Sequence, residues 1–278
     1  MNSNTKVGIL NTIIWVFPFL LLFTLFFIFI MHSIIIYPAL FVEHNSIMPV
    51  FTNIVDIKTS DGIKQKIYII DIDSDVDIVF FGGNGMNAKW LSSVCKTLSY
   101  LINCNVISII YRGYNGNEGK PNEVGLMLDT HAVYEYIKKE RSDKKIVCMG
   151  LSLGCSLALY LAELLGDSFD KICILENGFY NMQTIVKEAL GTFSWLSFLI
   201  TEEWQNDRRI LKLGSKNVKF LFLISSNDEI IGNHHSDMMI NLLDGKCEYE
   251  RFSAFHMTAC EDPKYYAVIK TFIENKFD

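Results

Sequence analysis

Residues 146–158 read Ile-Val-Cys-Met-Gly-Leu-Ser-Leu-Gly-Cys-Ser-Leu-Ala, and the order of residue types there decides the fold. Ile146 to Met149 is a short apolar run of the kind a buried strand uses. Gly150-Leu151-Ser152-Leu153-Gly154 follows, and a helix-forming stretch begins at once. Gly-x-Ser-x-Gly between a strand and a helix is the setting of a nucleophile elbow. The serine occupies a sharp, strained turn, and glycines two residues to either side let strand and helix approach closely. Its hydroxyl then stands clear of the backbone above the helix N-terminus. The N–H of Leu153 points at any oxyanion formed there. The five residues alone carry little weight, because Gly and Ser are common; the strand before and the helix after supply it.

The partners of such a serine follow in the order acid, then histidine. Lys219-Phe-Leu-Phe-Leu-Ile224 reads as an apolar strand, and Ser225-Ser-Asn-Asp228-Glu-Ile-Ile231 as the loop after it. Asp228, the first acid past the strand, is the expected orienting carboxylate, with Glu229 as the fallback. Cys247-Glu-Tyr-Glu-Arg-Phe252 alternates like a last strand, and His256 is the one histidine after it. The other five lie elsewhere: His32 and His44 in or just past an apolar N-terminal run, His131 in a helix, His234 and His235 where a helix begins. Upstream, Asp77-Ile-Val-Phe-Phe81 runs into Gly82-Gly83-Asn84-Gly85. A loop at that place supplies the second oxyanion N–H, and Asn84 is the expected donor through its main chain. The phosphate-loop pattern Gly-x-x-x-x-Gly-Lys-Ser/Thr is absent, and the dinucleotide fingerprint lacks its third glycine.

Several further motifs carry a resemblance. Tyr111-Arg-Gly-Tyr-Asn-Gly-Asn-Glu-Gly-Lys-Pro121, Leu175-Glu-Asn-Gly-Phe179, Trp204-Gln-Asn-Asp-Arg-Arg-Ile210, Gly83-Asn84 and Asp228-Glu-Ile-Ile231 occur in that set. Together they resemble the alpha/beta-hydrolase domain-containing protein 13 branch of the serine hydrolases, over roughly residues 50 to 278. The resemblance implies nucleophile Ser152, acid Asp228, base His256, and oxyanion donors Asn84 and Leu153. Two positions depart from the family pattern: Gly82 stands where the family has histidine, and Cys155 where it has a third glycine after the elbow. Neither removes a catalytic side chain.

At 278 residues the chain has room for one domain and a tail. From Val7 to Val42 there is no Asp, Glu, Lys or Arg. Its densest part, Ile13 to Ile36, would span about 36 Å as helix against a hydrocarbon core of roughly 30 Å. The run is too long for a signal peptide and no Ala-x-Ala-like site follows it. The expected organisation is a short tail at 1–6, one transmembrane anchor helix at 7–36, and a catalytic domain at 45–278. Lys6 precedes the run and Lys58 is the first basic residue after it, which favours a type II orientation. The absence of an Asn-x-Ser/Thr sequon and seven scattered cysteines pull the other way. Net charge is −6 with no basic stripe, which speaks against nucleic acid as a partner. No Cys/His spacing suggests zinc, Asp71 to Asp77 lacks the EF-hand glycine and terminal Glu, and no cofactor or metal is expected.

The spacing predicts two strands at 50–58 and 64–72 around Ser60-Asp61-Gly62, then a strand at 77–81 and a helix near 87–103. A strand at 105–110, a helix near 122–140, a strand at 145–149 and the elbow helix follow. Strands near 171–175, 218–224 and 247–252 and a helix after Pro263 complete the order. A hairpin followed by strand–helix alternation gives an α/β fold: an alpha/beta-hydrolase sheet of about eight mostly parallel strands with helices on both faces. An insertion at about 178–216, rich in Phe, Trp and Leu, is expected to form a cap. It receives an acyl chain, rests on a bilayer, or merely packs on the body. The expected function is a membrane-anchored serine hydrolase of acyl esters or thioesters, acting on a lipid or lipidated protein. The alternatives are a peptidase of the same fold and a catalytically weak binding protein at the membrane.

Overall fold

The structure is a computed structural model that describes residues 15–16, 18–20, 22–24, 26 and 36–277 except 217. Eight strands form one sheet: β1 (Asn53–Lys58), β2 (Lys64–Ile70), β3 (Val76–Phe81), β4 (Asn105–Ile109), β5 (Lys145–Leu151), β6 (Lys171–Glu176), β7 (Lys219–Ser225) and β8 (Glu248–Phe252). Their order is β1-β2-β4-β3-β5-β6-β7-β8. β2 pairs antiparallel with β1 and β4; every pair from β4 through β8 is parallel. β3 to β7 are apolar and buried along nearly their whole length, as a sheet covered on both faces requires. β1, at the edge, alternates between exposed and half-buried positions.

The main helices are α1 (Ala88–Leu98), α2 (Glu123–Glu140), α3 (Leu153–Leu165), α4 (Met182–Leu190), α5 (Asn206–Ser215), α6 (His234–Asn241) and α7 (Tyr265–Phe277). Asparagine side chains start three of them: Asn87 accepts from Trp90 N–H at 2.9 Å, Asn122 from Gly125 at 2.7 Å and Asn181 from Thr184 at 2.9 Å. Each satisfies a donor the first helical turn leaves unpaired.

Boundaries differ from expectation where side chains compete with the ladder. The expected helix over 87–103 is an α-helix to Leu98 and then a π-turn, Ser99–Asn103, ended by left-handed Asn103. β2 stops at Ile70, because Asn105 Oδ1 accepts the N–H of Ile72 at 2.9 Å and of Ser74 at 3.1 Å. β5 runs on to Leu151, which pairs with Glu176, so the strand reaches the serine itself.

The cap holds α4, a 3-10 helix at Gly191–Leu199, and α5. Its far end is pinned by fully buried Trp204, whose Nε1 donates to Tyr37 Oη at 2.9 Å while its N–H donates to Glu123 at 2.9 Å. Tyr37 in turn donates to Glu202 at 2.6 Å. The body thus gathers in Tyr37, ahead of the boundary near residue 45. Among the described residues no helix is long and apolar enough to cross a membrane. Most of the anchor expected at 7–36 lies outside the described residues.

Candidate active site

β3, β5, β7 and β8 run parallel, so their C-terminal ends share one edge of the sheet. Gly82–Gly85 follows β3, Ser152 follows β5, Asp228 lies three residues past β7, and His256 four past β8. That edge is where open parallel sheets bind ligands.

Ser152 precedes α3 with φ 54° and ψ −117°, a left-handed strained conformation for a residue with a Cβ. Serine at a helix start ordinarily caps it, but this hydroxyl makes no cap bond. The turn requires glycine on both sides: a Cβ on residue 154 would lie 2.0 Å from the carbonyl oxygen of Phe81, and one on residue 150 would lie 2.3 Å from the Gly154 backbone. The Ser152 N–H donates to Glu176 O at 2.8 Å, which locks the elbow to β6.

Asp228 Oδ2 lies 2.6 Å from His256 Nδ1, and both side chains are buried. A carboxylate only accepts, so Nδ1 carries the proton and Nε2 keeps its lone pair. Asp228 Oδ1 accepts the N–H groups of Ile230 at 2.9 Å and Ile231 at 2.8 Å. Glu229, the fallback acid, instead accepts the main-chain N–H of His256 at 3.0 Å. The carbonyl of His256 accepts from Asn177 Nδ2 at 2.7 Å. The histidine is therefore held at its N–H, its carbonyl and its ring.

Asn84 is pinned at both ends of its side chain. Its Nδ2 donates to Ile36 O at 2.7 Å, and its Oδ1 accepts from Tyr114 Oη at 2.5 Å. Tyr111 Oη donates to Gly82 O at 2.5 Å. The Tyr-Arg-Gly-Tyr motif is thus the prop under the 82–85 loop, and Arg112 anchors the prop. Its guanidinium meets Asp129 at 2.8 Å and Asp61 at 2.7 Å. The two departures from the family pattern are accommodated. The sulfur of Met86 sits 2.6 Å from where a Cβ on residue 82 would be, filling the space of the family histidine. The Cys155 thiol is buried behind the elbow, its sulfur 3.1 Å from the Gly150 carbonyl oxygen and 3.2 Å from that of Glu176, which share its one S–H donor.

Asn84, Leu153, Ser152 and His256 open into one pocket of about 740 Å³. Its other walls are apolar: Met182, Ile185, Val186 and Leu190 of α4, and Leu196 and Leu199 of the 3-10 helix. Glu188 of α4 ties this wall to the body through His234 Nε2 at 2.9 Å and His235 Nε2 at 3.0 Å. These three side chains bring potential metal ligands within 4.8 Å of one another. The Tyr180 N–H donates to His235 Nδ1 at 3.3 Å, however, which puts the His235 proton on Nε2 and aims it at Glu188. The trio is a hydrogen-bonded latch between cap and body.

Glu176 was invisible as a site residue in sequence. It ends β6, is buried, and accepts from Tyr265 Oη at 2.5 Å. Burial pushes its pKa up to about 7, opposed by the Tyr265 hydrogen bond and by nearby His256. The unfolded carboxyl titrates near 4.5. Its raised folded pKa therefore favours the fold below about pH 4.5, and that advantage is lost as pH rises to about 7, a span worth roughly 3 kcal/mol. Glu176→Gln keeps an acceptor for Tyr265 and removes the charge. Thermal unfolding in one detergent should show the variant gaining Tm over the wild type at pH 8 and little at pH 5. Parallel profiles would show that Glu176 does not titrate in this window.

No protein-family model matches the chain. Over 232 residues it is 28% identical to protein bem46 of Schizosaccharomyces pombe, covering 79% of this chain and 75% of that one. It is 24% identical over 200 residues to alpha/beta hydrolase domain-containing protein WAV2 of Arabidopsis thaliana, covering 66% of this chain and 64% of the relative. Its fold superposes on the esterase Pf2001 of Pyrococcus furiosus with a TM-score of 0.67 at 17% identity, over 85% of this chain and 99% of the esterase. The chain belongs to the alpha/beta-hydrolase superfamily. In this superfamily member, Gly-x-Ser-x-Gly occupies the strand-to-helix turn that the fold uses for its nucleophile.

Proposed function

We propose that the chain is a membrane-anchored serine hydrolase that cleaves acyl esters or thioesters. The observation that carries this reading is the 2.6 Å Asp228–His256 pair opening into the same apolar pocket as an uncapped Ser152. His256 Nε2 takes the Ser152 proton as Oγ attacks the acyl carbonyl. Asp228 holds the ring in that tautomer and stabilises the imidazolium. The N–H groups of Asn84 and Leu153 receive the oxyanion. The same imidazolium protonates the leaving group, and an acyl-serine remains. Water, deprotonated by His256, then attacks the acyl carbon; the proton returns to Ser152 and the carboxylic acid departs.

The pocket supports an acyl substrate, because its walls beyond the reacting atoms are lined by apolar side chains. The anchor is supported by the charge-free run from Val7 to Val42. It is also supported by the exposure of Trp15, Phe19, Leu22, Phe23 and Phe26, which in water would be an apolar surface without cover. The type II orientation rests on Lys6 alone.

Membranes from cells expressing the full chain, washed with alkaline carbonate, test both halves at once. Hydrolysis of a panel of acyl esters and thioesters should stay in the pellet and vanish with Ser152→Ala. Activity released into the wash removes the anchor. A folded, membrane-retained chain that turns over no acyl ester or thioester removes the hydrolase.

A further inference from the structure

The pocket has a rim that the chemistry does not use. Residues 189–201 contain no charged side chain. Within them the 3-10 helix Gly191–Leu199 is a thin wall with two faces. Leu196 and Leu199 line the pocket, while Phe193, Trp195 and Phe198 stand in solvent at 61%, 63% and 65% exposure. Ile230, in the acid loop, lines the pocket and is itself exposed, and Phe255 is exposed beside His256. Ile36 forms another part of the wall. Just past it Leu40 and Phe41 are among the most exposed large apolar side chains in the body. They belong to a turn packed on the oxyanion loop, where a Cβ on Gly85 would touch Val42 and Pro38. Four separate segments therefore place large apolar side chains around one opening.

Large exposed apolar side chains on segments that line or adjoin one pocket mark a candidate binding face, and the charge-free run next to it points to the occupant. The chain leaves the rim at Ile36, held there by Asn84 Nδ2, directly into the charge-free run that begins at Val7. With that run in a bilayer, no linker separates pocket and lipid. Trp and Phe with no charged neighbour suit the interfacial zone of a bilayer. A water-soluble protein partner would have to displace lipid from the same place.

We propose that this rim docks on the lipid bilayer, so that an acyl chain passes from the bilayer into the pocket between the 3-10 helix and Ile36 without entering water. The proposal rests on the acyl-hydrolase reading for its purpose, but the docked surface is testable apart from activity.

The full-length protein is reconstituted in phosphatidylcholine vesicles, with and without lipid brominated near the glycerol end of the acyl chains. Trp195 fluorescence is read as the difference between wild type and Trp195→Phe, which removes the signals of the other tryptophans. The proposal expects that difference to be quenched by at least half. An unquenched Trp195 overturns it, whether or not the protein hydrolyses anything. In the second arm, Trp195→Glu combined with Phe198→Glu should slow hydrolysis of a long-chain ester presented in vesicles by tenfold or more. The rate on p-nitrophenyl acetate in the same preparation should stay unchanged. Equal rates for variant and wild type on the vesicle ester overturn the proposal, as does an equal loss on both esters. A dimer in detergent that the double variant abolishes, together with an unquenched Trp195, would give the rim to a second copy of the chain instead.

Discussion

Asp228→Asn is expected to lower kcat by about four orders of magnitude and to leave the fold intact. The size follows from which atoms the amide can satisfy. Asp228 Oδ1 accepts two main-chain N–H groups, from Ile230 and Ile231, and Oδ2 faces His256 Nδ1. Asparagine has one acceptor oxygen. Turned toward the two N–H groups, it preserves the loop and presents its NH2 to the ring. Nδ1 must then accept, the proton moves to Nε2, and His256 can no longer take a proton from Ser152. Turned the other way, the NH2 meets two N–H donors and the loop is lost, so the first arrangement wins. Glu229→Gln is the control. Its carboxylate serves the His256 main-chain N–H, and a glutamine oxygen does the same, so kcat is expected to change by about twofold at most, far below the loss for Asp228→Asn. Turnover of any ester the protein accepts, with thermal unfolding beside it, checks both. The opposite ranking would move the orienting acid to Glu229.

The strands and their succession along the chain were legible because β3 to β7 are short, largely apolar runs between turn signals, because β8 alternates, and because the elbow fixes direction. The placement of Ser152, Asp228 and His256 at one edge of the sheet was legible from chain order, since each follows a strand end and those strands run parallel. What binds them together was not. Asn177, just past β6, grips the His256 carbonyl, and Tyr111 and Tyr114 prop the 82–85 loop from beyond β4. Those contacts join residues far apart in sequence, and no local pattern announces them. The family resemblance flagged the Tyr-Arg-Gly-Tyr and Glu-Asn-Gly-Phe segments but not their work. The cap was legible as an apolar insertion, yet the division of its 3-10 helix into pocket wall and bare outer face needed coordinates. Phe193, Trp195, Leu196, Phe198 and Leu199 are separated only by small Ser residues, and no charged side reveals which face is which.

Ser152 carries the central claim. Its left-handed backbone and lack of a cap bond leave the hydroxyl without a helix-capping role at the N-terminus of α3, and Ser152 shares its pocket with His256, Asn84 and Leu153. A phosphonylating reagent needs these features and little else: an activated oxygen, and N–H groups to receive the phosphonyl oxygen. It needs no knowledge of the natural acyl group. The full-length protein is incubated with a fluorophosphonate probe, digested, and the adduct located by mass spectrometry. The account predicts one adduct, on the peptide containing Ser152, absent in Ser152→Ala and strongly slowed in Asp228→Asn. A folded wild-type protein that takes up no probe, or an adduct that persists in Ser152→Ala, would contradict it.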